Sequence, residues 1–178
     1  MVSRLVPAAR TQTADILGSG LSMIEMPADD KGEAMPVRRT VNDAGSYATG
    51  ERLAAVLASL GDVQGMCICG EHLLYDGKCP TEGASCVVFE SLREFAVWAG
   101  EYNHAFEWLS VVLVDEWTIK PGIARPFAEF HPKLWVDPPE FTFPGAHLEI
   151  HVFDFTKLVV IAEESLFERI NHLVPAQA

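Results

Sequence analysis

Positive charge is scarce in this chain. Its 178 residues carry 13 Lys+Arg against 25 Asp+Glu, a net charge of −12. Residues 1–60 contribute a net of −1 and residues 61–178 a net of −11. Proteins that hold nucleic acid neutralise its phosphates with Lys and Arg, and no basic stretch here supplies such a surface. Direct nucleic-acid binding is therefore not expected. An acidic domain suits a basic protein surface instead, because long-range attraction speeds the encounter.

Long apolar runs are missing as well. No segment reaches the roughly 18 residues that a membrane-spanning helix needs. The longest, Leu109–Val114, has the length of a buried strand. Pro7 and Arg10 interrupt the opening MVSRLVPAAR, so no secretory leader is expected. The expected compartment is the cytoplasm, where thiols stay reduced.

Familiar catalytic signatures are absent too. The chain has no G-x-S-x-G elbow, no G-x-x-x-x-G-K phosphate loop and no G-x-G-x-x-G turn. The acid pairs Asp115/Glu116 and Glu163/Glu164 are adjacent in sequence. Neighbouring side chains diverge on a strand or a helix, so neither pair makes a natural catalytic dyad.

What the chain does contain is ample core material, with 49% hydrophobic residues. Residues 1–45 are broken by Gly18, Gly20, Gly32, Pro7, Pro27 and Pro36 and by the polar run PADDKGE, and they read as a weakly ordered arm. Residues 46–178 read as a single acidic domain. In TGERLAAVLASLG, Leu53, Val56, Leu57 and Leu60 share one helical face, with Thr49 as cap and Gly61 as terminator. In SLREFAVWAGEY, Ser91 and Glu94 have capping-box spacing ahead of Phe95, Trp98, Ala99 and Tyr102.

WLSVVLVDEW reads as a buried strand ending near Asp115. Six prolines between Pro121 and Pro144 then leave room for an edge strand at most, within FAEFHPKLWV. AHLEIHVFDF alternates as a strand, KLVVIA is its expected neighbour, and EESLFERINHL closes the chain as a helix. The expected fold class is α+β: an antiparallel or mixed sheet of about four to six strands flanked by about three helices.

Two constellations carry chemistry. GMCICGEHLLYDGKCPTEGASC holds Cys67, Cys69, Cys79 and Cys86 around an Asp76-Gly77 turn signal, with His72 as a substitute ligand. Four thiolates suit a structural zinc. The spacing departs from the two-residue knuckle, however, and buried thiols, a disulfide or a redox pair fit the same residues.

The second constellation is HLEIH. On a strand, His147, Glu149 and His151 face one side, and two histidines with a carboxylate are a ligand set of open metal centres. The outer two stand roughly 13 Å apart along extended chain, so only neighbouring pairs can share an ion, completed by His131 or His104. Phe153 and Phe155 continue this outer parity, which implies that the tail, the proline-rich segment or a partner covers it.

The sequence thus favours a non-catalytic acidic interaction protein, an inhibitor or adaptor that docks on a basic surface such as that of a nucleic-acid-binding protein, with a structural zinc at the cysteines. The alternative is a metal-dependent hydrolase or oxygenase using His147, Glu149 and His151.

Overall fold

A computed structural model of the chain describes residues 35–43, 46–74, 76, 86–115 and 132–175. The strands are Val37–Asn42 (β1), Met66–Leu74 (β2), Val87–Phe89 (β3), Phe106–Val114 (β4), Ala146–Phe153 (β5) and Lys157–Ala162 (β6). The helices are Ser46–Leu60 (α1), Leu92–Glu101 (α2) and Glu164–Ile170 (α3). The strands form one six-stranded sheet in the order β1-β6-β5-β4-β2-β3, and each neighbouring pair is antiparallel. The architecture is the expected α+β class. None of the helices is long and apolar enough to cross a membrane, among the described residues.

All three helices cover one face of the sheet. α1 turns Leu53, Val56, Leu57 and Leu60 inward, the four positions its 3.6-residue spacing predicts. α2 adds Leu92, Phe95 and Ala99, and α3 adds Phe167 and Ile170. They pack on Leu109, Val111 and Leu113 of β4, Leu148, Ile150 and Val152 of β5, and Leu158 and Val160 of β6. Full burial of each Leu, Val or Phe stabilises the fold by roughly 1.5–3 kcal/mol before chain entropy is set against it. Trp98 sits at the edge of this core, with ring contacts to Phe89, Phe95, Tyr102, Phe106 and His72.

The start of α2 is capped as its sequence predicts, with one difference. Ser91 Oγ accepts from the Glu94 N–H at 3.1 Å. The Glu94 carboxylate reaches back to the N–H of Glu90, one residue before the cap, at 2.8 Å. α1 begins at Ser46, so Thr49 lies inside the helix, buried, and does not cap it. The strand Val37–Asn42 falls within the stretch assigned to the arm, where it pairs with β6 from Val37↔Ala162 to Asn42↔Lys157. Residues 1–34 of that arm lie outside the described residues. The KLW of the proline-rich segment is part of a 3-10 turn, Pro132–Trp135, rather than a strand.

Two backbone positions set the geometry near the second face. Gly65 has φ +135°, and a Cβ there would stand 2.8 Å from the Val114 carbonyl oxygen, so only glycine lets the chain enter β2 beside the end of β4. The β5–β6 turn holds Asp154 at φ 49° and Phe155 at φ 40°. A left-handed aromatic residue is strained by about 1–3 kcal/mol and persists only where its surroundings fix it. Here the Phe155 N–H donates to the Glu107 carbonyl at 3.1 Å.

Candidate functional site

The face of the sheet away from the helices carries the unusual chemistry. β5 alternates between the two sides, so Leu148, Ile150 and Val152 enter the helix core while Glu149 and His151 point the other way. Residues 134–143 of the proline-rich segment, one of three covers the sequence allowed, lie over them. Leu134 packs on Val159 and Ile161 with Phe141 and Phe153, and Phe143 joins Ile68, Val112, Val114 and Ala146. Arg38 of β1 pins this cover from below. Its Nη1 donates to the carbonyls of Leu134 at 2.9 Å and Val136 at 2.8 Å.

Beneath the cover Ser110, Glu149 and His151 are each 0% exposed. The two oxygens of Glu149 accept from the Phe143 N–H at 2.8 Å and the Thr142 hydroxyl at 2.9 Å. Glu149 Oε2 also lies 3.2 Å from His151 Nε2, and His151 Nδ1 lies 3.0 Å from Ser110 Oγ. An ionised carboxylate only accepts, so Nε2 donates to Glu149, and in the neutral ring Nδ1 is left to accept the Ser110 proton. Every polar group of the chain Thr142–Glu149–His151–Ser110 thus has a partner. A buried polar set is tolerated on that condition.

Hydroxyl, imidazole and carboxylate stand here in the order of a nucleophile relay. A nucleophile must nevertheless touch its substrate, and the Ser110 hydroxyl is sealed under the cover. What the arrangement does is bind the cover to the sheet. Two of the three bonds to Glu149 come from residues 142 and 143 of the covering segment.

His147 does not join Glu149 and His151. It shares their face but lies at the start of β5, with Nδ1 3.6 Å from the exposed carboxylate of Asp115 and its ring against Gly65. The strand rise separates the outer histidines, as the spacing of HLEIH implies. His104 sits on the helix side in the turn after α2, half-buried; burial pushes its pKa down, opposed by a hydrogen bond with the Ala96 backbone. His131 and Trp117 lie outside the described residues.

The sheet also separates the cysteines. Cys67 and Cys69 are buried on the helix face, whereas Cys86 packs with Ile68 and Val112 on the opposite face. β3 pairs back on β2 through Cys69↔Val87, which sets Cys86 just beyond that pair. A bulge between Cys69 and Glu71 turns His72 to the same side as Cys69, with Sγ and Nδ1 3.8 Å apart. Burial pushes the Cys67 thiol well above its ordinary pKa, away from the thiolate that binds metal or attacks. Cys79 and Gly77 lie outside the described residues. Among the described residues no three His, Cys, Asp or Glu side chains come together as a metal-binding group, so neither Cys67, Cys69 and Cys86 nor His147, Glu149 and His151 forms one.

Ser110, Thr142 and Arg38 did not emerge from sequence patterns. Ser110 left one signal, as the lone polar residue between Trp108 and Val114. Thr142 and Arg38 left none, because their roles depend on chain that returns across the sheet. The chain matches no family model, no curated protein and no solved structure.

Proposed function

We propose that this chain is a non-catalytic interaction protein that docks, in the cytoplasm, on a basic surface of another protein. The observation that carries the proposal is the state of its surface charges. Nearly all the described cations are engaged within the fold. Arg52 pairs with Asp43, Arg169 with Asp62, and Lys133 with Glu140. Arg38 is spent on backbone carbonyls, Arg39 lies over the Phe167 ring, and Lys157 lies over Trp135. Glu51, Glu101, Glu163, Glu164 and Glu168 are exposed and make no ion pair with the described residues. The uncompensated surface charge is therefore negative, and it complements a cationic partner. A protein whose basic surface ordinarily meets nucleic acid has that chemistry, and the chain would act on it as inhibitor or adaptor.

Metal-dependent chemistry at His147, Glu149 and His151 has less support. The Glu149 oxygens are taken by Thr142, Phe143 and His151, and His147 is directed to Asp115.

The test uses a fluorescent peptide of alternating Arg and Gly as the basic probe, titrated with the full chain and followed by anisotropy. Screening shortens the Debye length from about 14 Å near 50 mM salt to under about 6 Å near 300 mM, so binding should weaken strongly between them. Absence of binding at low salt, or binding indifferent to salt, would contradict the docking role.

A further inference from the structure

We propose that the basic partner docks at Trp135, with an Arg or Lys side chain of the partner laid on the indole face that Lys157 covers within the fold. This placement rests on the docking role proposed above and adds where the contact forms and what it is made of.

Trp135 is 49% exposed, the one aromatic side chain among the large hydrophobic residues that stand out from the described surface. Its exposure does not come from slack chain. Leu134, immediately before it, is fully buried against Val159 and Ile161. The carbonyls of Leu134 and Val136, on either side, both accept from Arg38. The backbone that carries the indole is thus held at both shoulders while the ring is left outside. An apolar ring fixed in water carries a standing hydrophobic cost that a partner relieves, and a side chain already in place loses little freedom on binding. Tryptophans of this kind dominate the energetics of many interfaces.

The ring has support and a cation. Phe153 backs Trp135 with centroids 6.0 Å apart, and Trp108 meets Phe153 edge-on at 5.8 Å. Lys157 Nζ stands 5.5 Å from the Trp135 centroid. The indole face therefore already receives a positive charge in this fold. An ammonium is a compact point charge, whereas a guanidinium is planar and stacks on an aromatic face, so a partner's arginine can displace Lys157. Asp137 and Asp154, both exposed, flank the aromatic pair in sequence, and neither makes an ion pair with the described residues. They add attraction for a basic segment and oppose an acidic one.

The helix side fits the same partner less well. Val97 is exposed there too, beside a groove floored by Ala54, Ala58 and Ala96. Its charged lining is balanced, Arg93 and Arg169 against Asp62 and Glu90 with Arg169 paired to Asp62, and no Phe, Tyr or Trp ring lines it to receive a cation, among the described residues.

The experiment is the same Arg-Gly peptide titration at low salt, on full-length variants whose circular dichroism matches the wild type. Trp135→Ala should weaken binding about tenfold or more, as truncation of an anchoring Trp does. Trp135→Phe should recover most of the loss, and Lys157→Gln should tighten binding severalfold by removing the internal competitor. Arg93→Gln, on the helix side, should not weaken binding. If the wild type binds and Trp135→Ala binds equally well, the placement at Trp135 is wrong while the docking role stands. If the wild type does not bind the peptide, the docking role itself fails. Sedimentation of the protein alone supplies a further check: a dimer that Trp135→Ala abolishes would make a second copy the occupant and overturn the basic-partner proposal.

Discussion

On one side of β5, Leu148, Ile150 and Val152 lie under three helices in an apolar core. On the other, Glu149 and His151 lie under the described part of the proline-rich segment, residues 132–144, whose regular structure is a single 3-10 turn. Both sides are equally dry, yet they are closed by different physics. The helix face is held by area, which is non-directional and tolerant of small shifts. The second face also buries Leu134 and Phe143, but to that area it adds named bonds, from Phe143 and Thr142 to Glu149 and from Arg38 to the carbonyls of Leu134 and Val136. Those bonds are directional, so they fix the cover in one place and, with it, the outward stance of Trp135. A segment without helix or strand can be as well defined as either when its backbone groups are answered individually.

Substitutions that separate the two kinds of closure should differ in size and in what they disturb. The largest effect is expected at Phe95→Ala, which empties a fully buried site under α2 and should destabilise the whole fold by about 3–5 kcal/mol in chemical denaturation. Glu149→Gln comes next. It conserves shape but places an amide donor against the Phe143 N–H or the His151 ring, so one buried group loses its acceptor, at a cost of about 2–3 kcal/mol. If Glu149→Gln proved neutral, the carboxylate would not be the centre of the second face. Ser110→Ala should cost least, about 1–2 kcal/mol, because only the outer end of the chain at His151 Nδ1 goes unanswered. A loss at Ser110 as large as that at Phe95 would mean that the network supports the core and not merely its cover.

The same contrast governs what could be read from the sequence. Period-3.6 spacing identified Leu53, Val56, Leu57 and Leu60, and period-2 alternation identified the two sides of AHLEIHVF, because burial against a continuous surface imposes a repeat. The pairing of KLVVIA with that strand followed from a short turn between them. β1 was harder to see. VRRTVN has two arginines and no clean alternation, and it is a strand because Arg38 and Arg39 each have a use on opposite sides of the sheet.

The polar network was legible only in part. Glu149 and His151 sit two residues apart on one strand, a local relation that the sequence states. Their other partners do not. Ser110 is 41 positions from His151, and Arg38 is 96 and 98 positions from the carbonyls it holds. Contacts at such separations are set by sheet order, which no local pattern carries. The cysteine cluster shows the converse. Cys67, Cys69 and Cys86 are close in sequence, but the sheet sends Cys86 to the other face.

The Glu149 bonds hold the covering segment onto the sheet and so fix the surface that bears Trp135. Amide hydrogen exchange in the wild type and in Glu149→Gln tests it most directly. The Phe143 N–H and the cover from Leu134 to Phe143 should be protected in the wild type. In the variant these amides should exchange markedly faster, while those of α1, α2 and β4 keep their protection. Unchanged exchange across Leu134–Phe143, or faster exchange spread evenly over both faces, would contradict it.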